Sequence, residues 1–217
     1  MRATYGSIYL ENTSFFDCSA NKNGGGGMNI FSSTYASLVY VFFTSCTSQT
    51  IGGGLNIRWT TNYDLSSCSF IHCEADEDGG GLYTRQNRGG TDVPTIKNSI
   101  FVGCYSDSNG GGISVYDNFN LAIDDCKFES NSAGEDGGAL HLDDANATIR
   151  NCTFDANTAQ SEGGALGIIY SVTTIDSCGL QSNSASSGGG VYAYHSTAVV
   201  ENSVFTANSA TEKGGGI

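Results

Sequence analysis

The sequence predicts an all-β chain: a right-handed parallel β-helix, or solenoid, of about eight rungs of 25–31 residues with three short strands per rung. Three observations lead there. A word of two glycines, a glycine or alanine and an aliphatic residue recurs along the chain, from Gly25-Gly26-Gly27-Met28 to Gly214-Gly215-Gly216-Ile217. Large apolar residues recur at fixed offsets from it, and no stretch shows the 3.6-residue apolar spacing of an amphipathic helix. The eight aliphatic residues are separated by 27, 27, 31, 27, 26, 25 and 26 positions, the period of stacked repeats.

Each rung reads in the same order. The origin is a large apolar residue: Phe15, Phe43, Phe70, Phe101, Phe128, Phe154, Leu180 or Phe205. Five positions earlier stands an aliphatic column running from Leu10 and Leu38 to Ile175 and Val200, and two positions earlier a column of small or apolar residues that includes Cys68, Cys126, Cys152 and Cys178. Offsets of five and two differ by three, so one straight strand cannot turn both columns inward. A bend must fall between them, at Asn12, Tyr40, Ser67, Asn98, Asp125, Asn151, Ser177 and Asn202, seven of which are turn-tolerant types. Three residues after the origin come Cys18, Cys46, Cys73 and Cys104, then Asn131, Asn157, Asn183 and Asn208, an expected internal ladder. Beyond the glycine word, alternation as in Leu140/Leu142 marks a third strand. The glycines suit a corner with positive φ and a close neighbouring rung. They lack the Lys and following helix of a phosphate loop.

Residues 1–217 form a single repeat domain, expected to be a fragment of a longer chain, because the sequence stops directly after a glycine word. The formal charge of −13 repels phosphate backbones, so nucleic acid is not expected as a partner. No apolar run reaches the ~20 residues of a membrane-spanning helix.

The pairs Phe128-Glu129-Ser130-Asn131 with Gly137-Gly138-Ala139-Leu140, and Phe154-Asp155-Ala156-Asn157 with Gly163-Gly164-Ala165-Leu166, resemble the F-x-x-N and G-G-A-[ILV] motifs of chlamydial polymorphic outer-membrane proteins. The likeness extends over nearly the whole chain, with Cys for Asn in the first four rungs and Gly for Ala in most glycine words. It implies a right-handed β-helix of the autotransporter-passenger type, exposed at the cell surface and adhesive.

No catalytic, cofactor-binding or metal-ligating residue is assigned. All eight cysteines fall in inward columns, either as packed thiols or as bridges; Cys18/Cys46, Cys73/Cys104, Cys126/Cys152 and Cys68/Cys73 are conceivable pairs. His72, His141 and His195 lack ligand spacing and read as surface residues. Asp76-Glu77-Asp78, Glu135-Asp136, Glu162 and Glu212 read as a solvated acidic edge in preference to a Ca²⁺ site. The column Asn29, Asn56, Tyr83, Ser114, His141, Gly167 and Tyr192 reads as outward and holds no carboxylate, which weighs against a polysaccharide lyase or hydrolase. Glu129 and Asp155 stand on consecutive rungs but prove little without a groove.

Two surfaces suit contact. One is an apolar outer stripe of Phe16, Phe42, Ile71, Ile100 and Val102. The other is the turn after the third strand, with Arg58, Trp59, Tyr63, Arg85, Arg88, Tyr116, Phe119, Tyr170 and Tyr194, its longest version running from Gln86 to Thr95. Of the sequons at Asn12, Asn146 and Asn151, Asn146 is expected to be the accessible one. The leading expectation is a non-enzymatic, extracellular stalk, fibre, coat or adhesin, a glycoprotein with disulfides or packed thiols, that self-associates end to end or laterally or continues as a longer β-helix. A host-surface protein or glycan is its expected partner, and a carbohydrate-active β-helix is the alternative.

Overall fold

The computed structural model describes residues 2–4, 6–85, 93–118 and 120–217. Arg88, Phe119 and most of the expected Gln86–Thr95 turn lie outside the described residues. The chain winds as a right-handed parallel solenoid of about seven turns with three strand regions per rung, and the described residues contain no helix. Eight glycine words bound seven complete turns, which reconciles this with the count of about eight rungs.

Every strand pairing is parallel and joins residues one rung apart. The strands after the glycine word, from Met28–Phe31 to Val191–Tyr194, form one sheet. The two-residue strands that begin at Ser19–Ala20 and Thr47–Ser48 form the second. The third, of 14 strands, carries both the aliphatic and the phenylalanine columns. In the first rungs it runs unbroken through the bend, as Ser7–Phe16 and Tyr35–Thr44; from Asn62–Ser66 and Ser69–Ile71 onward the bend divides it.

The bend falls at the expected column: its eight residues, Tyr40 included, all have φ between 48° and 56°. A second left-handed column lies two residues after the origin and includes His72, Ser130, Ala156 and Ala207. Burial follows the predicted columns. Phe43, Phe70, Phe101, Phe128 and Phe154 are fully buried and stack nearly parallel at centroid spacings of 4.6–5.0 Å. The glycine word is a corner in the strict steric sense. Gly52 has φ of 64°, and a Cβ on Gly53 would lie 2.3 Å from the carbonyl oxygens of both Glu74 and Gly80.

The Asn column forms a continuous ladder. Asn131 Nδ2 donates to Phe101 O (3.0 Å) and to Asn157 Oδ1 (2.9 Å), while that same Oδ1 accepts the Asn131 N–H (3.0 Å). Asn157 to Asn183 and Asn183 to Asn208 repeat the pattern. In the earlier rungs thiols point at the equivalent carbonyls, Cys73 Sγ to Phe43 O at 3.6 Å and Cys104 Sγ to Phe70 O at 3.5 Å. All eight thiols are free. None of the four conceivable bridges is formed; the thiols point at main-chain carbonyls, and those of Cys46, Cys73, Cys152 and Cys178 also lie against a neighbouring thiol of their column. Burial pushes the Cys68 thiol up to about 11, against thiolate chemistry.

Candidate functional site

The residues with exposed chemistry gather where the post-glycine strand ends. Parallel pairing superimposes its last residues, Phe31, Arg58, Arg85, Tyr116, Asp143, Ile169 and Tyr194. The next residue turns the chain in a left-handed conformation: Ser32, Trp59, Asp117, Asp144, Tyr170 and His195 have φ of 47–53°. Asp and His accept this conformation more readily, whereas Trp and Tyr adopt it at a conformational cost. Two adjacent columns therefore form one edge of the solenoid.

That edge has three zones. At one end Phe31 and Trp59 meet edge to face at 4.6 Å, and the Arg58 guanidinium lies 5.7 Å from each ring. At the other end Tyr170 stacks on His195 at 5.5 Å with the planes 6° apart, and Tyr194 meets both rings. Between them Arg85, Tyr116, Asp117, Asp143, Asp144 and Tyr170 line a cleft of about 470 Å³. Arg85 Nε donates to Asp117 Oδ2 at 2.8 Å. Tyr116 is held from below by its hydroxyl, which donates to Asp78 Oδ2 at 3.1 Å. Partial burial, and then the charge of Asp117, raise the Asp143 carboxyl above its ordinary range.

Sequence reasoning found Arg58, Trp59, Arg85, Tyr116, Tyr170 and Tyr194 on this edge but not Phe31, Asp117, Asp143 and Asp144. The signal that locates them is alignment of positions three and four beyond the aliphatic residue of the glycine word. Tyr63, assigned to the same surface, is fully buried. It sits one strand later, where period-two alternation turns it inward with Leu65.

The column from Asn29 to Gly167 is also corrected. Asn56 and Ser114 are fully buried, and Asn29, Tyr83 and His141 are no more than 8% exposed. The loop before each glycine word folds over this side of the sheet: Asn23 O accepts the side-chain amides of both Asn29 (3.0 Å) and Asn56 (2.9 Å). His141 is thus no surface residue, and burial lowers its imidazole to about 4. His72 and His195 are exposed as expected. The acidic edge is partly built into the same cover. Asp78 Oδ1 accepts the Asn109 N–H, Asn109 Oδ1 the Asp136 N–H and Asp136 Oδ1 the Glu162 N–H, at 3.0–3.1 Å. Among the described residues no group of three or more His, Cys, Asp or Glu side chains is placed to hold a metal ion.

The sequons change order as well. Asn146 is half-buried with its Oδ1 accepting the Val172 N–H at 2.8 Å, whereas Asn12 and Asn151 are exposed on the bend. Glu129 and Asp155 are direct neighbours, and Glu129 is paired with Lys127 at 2.6 Å.

A family model described as a right-handed β-helix region matches residues 2–154. The chain belongs to that family. Neither a curated protein nor a solved structure matches it significantly. Membership in the right-handed β-helix family agrees with the parallel three-sheet winding and carries no assignment of chemistry. No helix among the described residues is long and apolar enough to cross a membrane.

Proposed function

We propose that this β-helix is a non-enzymatic, extracellular scaffold segment whose turn edge makes adhesive contact with a glycan or protein on another surface. The observation that supports this reading is the pair of exposed aromatic clusters flanking the cleft. Trp59 is 40% and Tyr170 58% exposed, each at a left-handed bend position that disfavours large side chains. Aromatic faces fixed by their neighbours are typical anchors of recognition. The Asn ladder inside the stack is committed to main-chain carbonyls and to its own rungs.

A second reading rests on one specific observation. Asp117, Asp143 and Asp144 line a single cleft with Arg85, and the raised carboxyl of Asp143 suits a general acid beside an ionised partner. Three carboxylates would repel a uronate, so a neutral glycan is the compatible substrate. The two readings separate in one experiment. The protein is screened on a glycan array and assayed for reducing-sugar release, alongside Trp59→Ala, Tyr170→Ala and Asp143→Asn. Binding that falls with the aromatic variants, without turnover, supports the scaffold. Turnover that Asp143→Asn abolishes overturns it in favour of the hydrolase.

A further inference from the structure

The outer face of the phenylalanine-bearing sheet holds a ridge and a notch in the same row. Along that row Phe42 lies in the second rung, Ile100 in the fourth, Lys127 in the fifth and Gly179 in the seventh. Phe42 is 39% and Ile100 37% exposed, with Phe16 exposed in the adjoining row. These side chains stand out from a row whose fifth and sixth rungs carry Lys127 and Thr153; Val204, 63% exposed, ends the row in the eighth rung beyond Gly179. At Gly179 the row is interrupted by a depression of about 270 Å³, bordered by Lys127, Thr153, Asp155 and Gln181.

Nothing within the chain calls for glycine at this position. Gly179 opens the regular strand Gly179–Gln181, its φ is not in the left-handed region, and a Cβ would meet no atom within 4 Å. A glycine in a strand with neither a conformational nor an internal steric cause marks a place that another surface approaches.

The positions of ridge and notch identify that surface. Phe42 and Gly179 are equidistant from the midpoint between Ile100 and Lys127. A two-fold axis through this midpoint, lying along the strands, reverses the stack and lays the row on itself. Phe42 of one copy then falls on Gly179 of the other, and symmetry repeats the contact at the opposite end. The aliphatic stem of Lys127 covers Ile100, its ammonium held by Glu129 at 2.6 Å. We infer that this face is an isologous, antiparallel dimer interface between two copies of the chain, keyed by Phe42 in the Gly179 notch. Eight rungs at about 4.8 Å give a contact only ~34 Å long and two rows wide, which belongs with small, transient interfaces. With each copy at −13, added salt tightens the pair by screening.

The test is sedimentation velocity across micromolar concentrations at low and high salt, on the 217-residue protein and three variants. Gly179→Phe fills the notch and Phe42→Gly removes the ridge; Phe42→Ser, matching Ser69 in the same row, replaces the latter if a strand glycine lowers the melting temperature. Each single variant should weaken the dimer by about tenfold or more, since one lost anchor is repeated by symmetry. The double swap Phe42→Gly/Gly179→Phe again sets a ring opposite a notch, and should return the affinity to within about threefold of wild type. A monomer at every concentration, open-ended growth, a dimer indifferent to both single variants, or a double swap as weak as either single would each overturn the inference. Binding on the glycan array is independent of every one of these outcomes.

Discussion

Asn157 is the most informative single position in the interior. It is fully buried and makes four side-chain bonds: Nδ2 to Phe128 O and Asn183 Oδ1, and Oδ1 from the N–H and the Nδ2 of Asn131, at 2.9–3.1 Å. Asn157→Ala removes all four. Asn131 Nδ2 keeps Phe101 O, and Asn183 Oδ1 keeps the Asn157 N–H, so those two groups remain partnered. The Asn131 N–H and the Phe128 carbonyl lose their side-chain partner in a dry interior. A buried group left unsatisfied costs about 1–3 kcal/mol, so the substitution should destabilise by about 3–5 kcal/mol with its small cavity included. Asn157→Cys should cost roughly half as much, because in earlier rungs a thiol at this position reaches the same carbonyl, as Cys104 Sγ reaches Phe70 O. Conversely, Cys104→Asn should add a rung to the ladder and stabilise by about 1 kcal/mol. The assay is urea unfolding followed by circular dichroism, compared through transition midpoints because repeat arrays need not unfold in two states. A loss below about 1 kcal/mol for Asn157→Ala, or equal losses for Ala and Cys, would refute the reasoning.

Four further outcomes can be checked by standard measurements. Gly53→Ala sets a methyl 2.3 Å from two backbone carbonyl oxygens and should cost several kcal/mol by thermal melting; Gly112→Ala sets its methyl 2.6 Å from one, the Ala139 oxygen, and should cost less, since Ala139 and Ala165 occupy that place in later rungs. Burial and the neighbouring Glu162 raise Asp136 to about 6 from 3.8, so its folded form holds the proton more tightly and stability falls as pH rises between those values. Asp136→Asn retains the oxygen that accepts the Glu162 N–H, and should gain at most about 1 kcal/mol above pH 6, allowing for solvent screening, with the advantage gone near pH 4. His141 acts in the opposite sense: its contribution is full above 6.5 and declines toward 4, and replacing it with Gln should flatten the acid limb of the midpoint against pH. Titration with a thiol reagent should label only Cys18, the one half-buried cysteine, in the native protein and all eight in denaturant; rapid native labelling of the rest would contradict their burial.

The solenoid was legible in the sequence because stacking forces identical offsets to share an environment. A phenylalanine, once a leucine, every 25–31 residues, an aliphatic residue five before it and, in seven rungs of eight, a turn-tolerant residue between them leave one way to coil. The second left-handed bend went unread although Asp17, Ser45, Gly103, Ser130 and Ser182 are turn-tolerant types, because His72, Ala156 and Ala207 interrupt the column's signal. His141 and Asn56 were misplaced for a related reason: alternation tells which face of a strand a residue takes, but not that a loop returns to cover that face. The cleft depended on columns formed by turn residues, where length variation obscures the alignment. Asp143 and Asp144 follow a regular strand, yet their convergence with Arg85 exists only across rungs. Gly179 was hidden for the opposite reason, as one more glycine in a glycine-rich chain.

In the later rungs the interior is held by side-chain amides that supply the hydrogen bonds the coil's corners lack. Side-chain amide hydrogen exchange by NMR tests this directly. The Nδ2 protons of Asn131, Asn157 and Asn183 should exchange only through unfolding of the stack, as slowly as the buried main-chain amides beside them. Exchange of these protons as fast as those of the exposed Asn151 would contradict the ladder and the rung register built upon it.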